Sequence, residues 1–133
     1  MLFKTYKRAD HGMIYVDNNI FIIGGLSLFI IGGKFLNSVR RLDLQKRDCF
    51  EEPPMNQCRS RFSLCVLNGY IYAIGGIGKT PDWSNTRLRA AERFSLKERK
   101  WEVIADLNEE RYHASCCSCD VLNRLVSKTA SYE

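Results

Sequence analysis

The stretch Arg8-Ala-Asp-His-Gly-Met-Ile-Tyr-Val-Asp-Asn-Asn-Ile-Phe-Ile-Ile-Gly-Gly25 recurs without a gap, at an offset of 51, as Arg59-Ser-Arg-Phe-Ser-Leu-Cys-Val-Leu-Asn-Gly-Tyr-Ile-Tyr-Ala-Ile-Gly-Gly76. Each copy holds an apolar run, a tight polar turn (Asp17-Asn18-Asn19; Asn68-Gly69) and a second apolar run closed by Gly-Gly. Asn-Gly between two apolar runs is a strong hairpin signal, because both residues tolerate the positive φ that a two-residue turn requires. Both segments therefore read as β-hairpins. The repeat governs the whole fold, since a unit of fixed period is one supersecondary element stacked on its neighbours.

The downstream halves repeat as well. Val39–Met55 parallels Ala91–Leu107 at an offset of 52, with Leu42 opposite Phe94, Cys49 opposite Trp101 and Met55 opposite Leu107. Both copies carry an Arg four residues later, Arg59 and Arg111. A charged turn (Gln45 to Asp48; Lys97 to Lys100) divides two short apolar stretches in each copy, which reads as a second hairpin. Four short antiparallel strands in roughly fifty residues is the size and content of one β-propeller blade.

The ordered set of Gly-Gly doublet, Phe94 followed by Trp101, and an Arg opening the next unit resembles the kelch repeat. Leu36-Asn37-Ser38-Val39 with Leu42-Asp43, and the hairpin Val66 to Gly76, are similar to the kelch-like proteins that join BTB and BACK domains to a kelch propeller. The resemblance covers residues 7–117 and implies an all-β fold: a partial kelch propeller of four-stranded antiparallel blades whose ring is not closed. The expected division is 7–54 for the first repeat, 58–106 for the second and 111–133 for the start of a third.

The residue types suit that fold on physical grounds. Glycine at the end of a buried strand allows close backbone approach and positive φ, so Gly24-Gly25 and Gly75-Gly76 are expected to end the second strand of each blade. Phe94 and Trp101 are expected to pack between blades. Leu42 and Cys49 offer less area at the same positions, so the first blade is expected to be the weaker. The motif Ile-Ile-Gly-Gly also recurs at Leu28–Gly33, eight residues after its first appearance. Register with the second unit favours Ile20–Gly25 as the strand and leaves Leu26–Phe35 as a long loop.

Composition narrows the function. In 133 residues, 45% are hydrophobic, 11% aromatic and 26% charged, with a net charge of +5, which fits an ordered domain and not a disordered chain. The mild positive charge leans toward acidic partners, without the dense Lys/Arg block of a nucleic-acid binder. The uncharged run Ile20–Gly33 is too short to span a bilayer, and the charged start, Met1 to Asp10, lacks the apolar run of a signal peptide. No membrane association, no nucleic-acid partner and a cytoplasmic location are therefore expected. Cys49, Cys58, Cys65, Cys116, Cys117 and Cys119 lack the two separated ligand pairs of structural zinc, so neither metal nor cofactor is expected.

For kelch-like proteins the resemblance implies a rigid disc whose inter-strand loops bind another protein, with the BTB and BACK domains recruiting a cullin-type ubiquitin ligase. Neither of those domains is in this sequence, so the recognition part alone is expected. Carried over by position, the contact residues are Lys79, Thr80, Asp82, Trp83 and Ser84 in the loop after Gly76, and Arg61 and His113 at first-strand starts. The structural motif comprises Gly24, Gly25, Gly75, Gly76, Phe94, Trp101, Arg59 and Arg111. Arg61 would suit an acidic peptide; the plainer reading is that Arg59 and Arg111 tie adjacent blades while Arg61 is solvated. Alternatives are an actin-binding scaffold or a non-folding truncated remnant. An enzyme is disfavoured, because two blades cannot assemble a site drawn from a whole ring. No Gly-Gly follows the third-unit sequence Arg111–Cys117, and two blades do not close a ring, so part of a larger propeller is expected.

Overall fold

In a computed structural model, residues 8–27, 34–79, 82 and 84–106 are described. All regular structure among them is β. The first unit contains β1 (Arg8–Ala9), β2 (Gly12–Val16), β3 (Asn19–Ile23), β4 (Leu26–Ser27), β5 (Lys34–Phe35), β6 (Val39–Asp43) and β7 (Asp48–Glu52). The second contains β8 (Ser63–Leu67), β9 (Tyr70–Ile74), β10 (Ile77–Lys79), β11 (Asn85–Arg87), β12 (Ala91–Ser95) and β13 (Lys100–Ile104). Each unit builds one four-stranded antiparallel sheet with strands in sequence order, β2-β3-β6-β7 and β8-β9-β12-β13.

The turns are where the polar residues placed them. Asp17 (φ 48°) and Asn18 (φ 62°) turn the first hairpin, with Asn19 already in β3, and Asn68 (φ 49°) and Gly69 (φ 80°) turn the second. Cross-strand register is identical in the two units: Leu42 lies opposite Cys49 as Phe94 lies opposite Trp101. The strand chosen from the duplicated motif is β3; the second copy, residues 28–33, lies outside the described residues. The expected loop Leu26–Phe35 is corrected at both ends, because β4 and β5 pair with each other and β4 pairs with β1. Backbone N–H and C=O groups leaving a sheet still need partners, and the opening residues Arg8–Ala9 supply them. In the second unit β10 and β11 form the corresponding short ribbon.

The core sits between the two sheets. Phe21, Ile23 and Val39 of the first sheet meet Ile71, Ala73 and Phe94 of the second, with Met55 from the connector sealing one end. Alternation along each strand selects one face for this layer: Ile14 and Val16 point into it, while Met13 and Tyr15 on the opposite face are 57% and 64% exposed. Phe94 is fully buried, 6.0 Å from the Phe21 ring and 5.3 Å from Trp101 between ring centroids. Trp101 donates its indole N–H to the Pro53 carbonyl at 2.8 Å. Both aromatics thus pack between the units. Leu42 and Cys49 at the equivalent positions are only half-buried.

Candidate functional site

The glycine doublets bring the two units into register. Gly24 and Gly25 have φ of 62° and 96°, and Gly75 and Gly76 of 66° and 93°. A Cβ on Gly24 would stand 2.7 Å from the Arg59 carbonyl oxygen, and one on Gly76 2.6 Å from that of Ser60. Both the conformation and the space exclude a side chain.

Arg59 exploits that approach. Its backbone belongs to the first unit: the N–H donates to Leu36 O at 3.1 Å and the carbonyl accepts from Gly25 N at 2.7 Å. Its side chain belongs to the second, with Nη1 donating to Gly75 O (2.9 Å) and Ala90 O (2.8 Å) and Nη2 to the Glu92 carboxylate (3.0 Å). Both partners of this ion pair are 1% exposed. Burial lowers the Arg59 pKa below its ordinary value, and the Glu92 charge opposes that fall. Glu92 also accepts the backbone N–H of Asn56 (2.7 Å) and of Gln57 (3.1 Å), fastening the connector. Arg59 therefore ties the two blades.

The first unit repeats half of this device. Arg8 donates to Gly24 O at 3.1 Å and Ser38 O at 3.0 Å, the counterparts of the Arg59 carbonyls. Where the second unit has Glu92, the first has Arg40, which reaches the exposed Glu51 at 3.3 Å. Sequence reasoning did not single out Glu92 or Arg40; the signal was the charge reversal between these aligned positions.

Of the residues expected to touch a partner, the described ones, Arg61, Lys79, Asp82 and Ser84, lie at one end of the sheets, opposite the Asp17-Asn18 and Asn68-Gly69 turns. Arg61 stands just before β8 and donates to Asp10 Oδ2 at 3.1 Å, and its backbone N–H reaches Asp10 O at 3.0 Å. Asp10 is the same position one unit earlier, and both residues have positive φ, 55° and 53°. Lys79 at the end of β10 donates to Asn85 Oδ1 at 2.5 Å and lies 5.1 Å from the centroid of Phe35, which belongs to the first unit. Asp82 Oδ1 accepts the Ser84 backbone N–H at 3.2 Å, closing the ribbon between β10 and β11. Asp10 and Phe35 were not foreseen, since neither carries a motif. Thr80, Trp83, Arg111 and His113 lie outside the described residues.

A second ion cluster joins the two units. Glu52 accepts from Arg41 Nε at 2.6 Å and also from Arg99, a residue of the second unit. Arg41 lies 4.6 Å from the Phe50 ring and Arg99 5.4 Å from Phe94. Burial, followed by the neighbouring Arg41 charge, lowers the Arg99 pKa. Among the described residues, no three His, Cys, Asp or Glu converge on a metal position, and no helix is long and apolar enough to cross a membrane.

Two stacked four-stranded sheets, each closing on a diglycine whose carbonyl is held by an arginine, define blades of a β-propeller. The kelch motif model matches residues 7–56 and 58–108, and the chain belongs to the kelch-repeat family. It is 33% identical over 111 residues to the kelch repeat and BTB domain-containing protein 2 of Ectromelia virus (strain Moscow), covering 84% of this chain and 18% of that protein. It is 32% identical over 124 residues to the kelch domain-containing protein 8B of Mus musculus, covering 87% and 32%. The chain thus spans less than a third of these relatives' lengths. The solved structure of YjhT, a kelch propeller, matches with a TM-score of 0.64 at 13% identity, over 76% of this chain and 38% of that one.

Proposed function

We propose that these repeats are a protein-recognition module, and that a polypeptide partner is gripped at the end of the sheets carrying Asp10, Phe35, Arg61, Lys79, Asp82 and Ser84. The observation that carries this reading is the convergence of loop residues from both units on one end, above a rigid hydrogen-bonded scaffold. Lys79 over Phe35 and Arg61 on Asp10 both cross the unit boundary. Loops held on a rigid frame are where binding residues concentrate. The Ectromelia virus relative is named for a BTB domain beside its kelch repeats. Joined to such a domain, this chain would select the substrate of a cullin-type ubiquitin ligase.

The test is affinity capture from cell extract with identification of bound proteins by mass spectrometry. A triple variant Arg61→Ala, Lys79→Ala, Asp82→Ala is expected to lose a partner that Lys46→Ala, at the turn end, retains. Equal retention by both variants would remove the loop end as the binding surface.

A further inference from the structure

We propose that the duplicated motif gives the first sheet two interchangeable central strands: Ser27–Ile31 can replace Asn19–Ile23 as β3, the chain moving by eight residues through one slot. The slot is demanding. Phe21 and Ile23 are 1% and 0% exposed, and the Phe21 ring packs on Phe94 of the second unit. At Gly25, with φ of 96°, an added Cβ would stand 2.6 Å from the Ala9 carbonyl oxygen, so the strand must close on glycine. Leu28-Phe-Ile-Ile-Gly-Gly33 meets each of these demands. It differs from Ile20-Phe-Ile-Ile-Gly-Gly25 only by Leu for Ile at the first position, a volume-conserving exchange. The shift of eight is even, so every position keeps its face of the sheet, whereas an odd slip would turn the apolar set outward. Residues 28–33 lie outside the described residues, and it is their sequence that fits the slot.

The connections on either side accommodate the same shift. Residues 26–35 form a ten-residue excursion whose ends are bonded, Leu36 N–H to Gly25 O at 2.8 Å, beside Gly24 N–H to Ser38 O at 3.0 Å. Moving the chain by eight leaves Lys34-Phe35 alone between Gly33 and Leu36, and the first of these bonds becomes the i to i+3 bond of a β-turn. At the other end the two-residue turn Asp17-Asn18 grows to the ten residues 17–26. One connection shortens by as much as the other lengthens, so their loop-closure entropies offset each other. The run that leaves the slot is also as apolar as the run that enters it. What favours the observed register is local. Asp17 and Asn18 hold positive φ, Asn19 Oδ1 accepts from Arg41 Nη1 at 2.9 Å, and Leu26 and Ser27 pair with β1 and β5. The exchange undoes β4 and carries eight residues from the loop end to the turn end. With them goes the ribbon that sets Phe35 against Lys79. Partner recognition would be switched off in the second register, a consequence that rests on the loop end being the recognition surface.

Paired glycine variants of the full chain test the exchange without any partner. Gly25→Ala blocks the observed register, Gly33→Ala the alternative, and the double variant both. Gly76→Ala is the reference, because a Cβ there meets Ser60 O at the same 2.6 Å and its doublet has no duplicate. The urea midpoint is expected to fall as far in the double variant as in Gly76→Ala, by no more than about half as much in Gly25→Ala, and hardly at all in Gly33→Ala. Hydrogen exchange read by mass spectrometry reports the register itself. The slow amides at Asn19–Ile23 of the wild-type chain are expected to move to Ser27–Ile31 in Gly25→Ala, about tenfold or more slower than in the double variant, while those of β8 and β9 stay in place. A Gly25→Ala variant that is unfolded, that falls as far as the double variant, or that keeps its slow amides at Asn19–Ile23 would overturn the proposal.

Discussion

Replacing Glu92 by Gln tests the device that joins the two units. The substitution keeps the size and one oxygen but removes the charge, leaving the Arg59 guanidinium 1% exposed without its counter-ion. Breaking a buried pair from one side costs about 3–5 kcal/mol, because desolvation of the remaining charge is no longer offset. With a urea slope of about 1–3 kcal/mol/M, the unfolding midpoint is expected to fall by about 2 M. Glu51→Gln serves as the internal contrast: its pair with Arg40 is exposed, so the loss should stay below about 1 kcal/mol. Urea titration followed by far-UV circular dichroism and tryptophan fluorescence reads both. The double variant Arg59→Met, Glu92→Leu is informative for a further reason. Apolar replacement often restores stability lost from a buried ion pair. Here it would orphan the Gly75 and Ala90 carbonyls and the Asn56 and Gln57 N–H groups, so no recovery is expected. Indistinguishable midpoints for Glu92→Gln and Glu51→Gln would refute the reasoning, as would full recovery in the double variant.

Other outcomes follow from the same geometry. Gly69→Ala has nothing within 4 Å of the added methyl, so its cost is that of positive φ alone, about 1 kcal/mol; Gly76→Ala also drives a Cβ to 2.6 Å from Ser60 O and should cost several times more by the same urea titration. Phe94→Ala empties a fully buried position between the sheets and is expected to lose about 3–5 kcal/mol, whereas Leu42→Ala, half-buried, should lose clearly less; chemical denaturation compares the two. His11 has its pKa lowered by burial and then by the Arg8 charge, against the opposing pull of Asp10. Below a pH of roughly 6.5 the unfolded chain therefore binds the proton more readily, and the His11 contribution to stability is lost as pH falls through its folded-state pKa. His11→Asn should flatten that part of a thermal-melt pH profile without changing the profile above neutrality.

How much of this was legible in the chain itself differs from feature to feature. The two ungapped copies determined the hairpins, because Asp17-Asn18 and Asn68-Gly69 can turn where other residues would strain, and alternation of apolar residues fixed which face of each strand is buried. The diglycines were readable for a related reason: positive φ combined with the close approach of a neighbouring backbone leaves room for glycine alone. Register alone chose Ile20–Gly25 over its duplicate. Yet the chain did not disclose that Leu26 and Phe35 extend a sheet with Arg8–Ala9, since two-residue strands carry no periodicity. Nor did it disclose that Arg61 spends its charge on Asp10, or that Glu92 alone completes a cage whose counterpart is reversed at Arg40. Those are contacts between residues 33 to 51 positions apart, set by how the connector Pro53–Ser60 threads between the sheets. Local sequence specifies backbone conformation, which is a property of neighbours; the partner of a buried charge is decided only when distant strands close around it and exclude water.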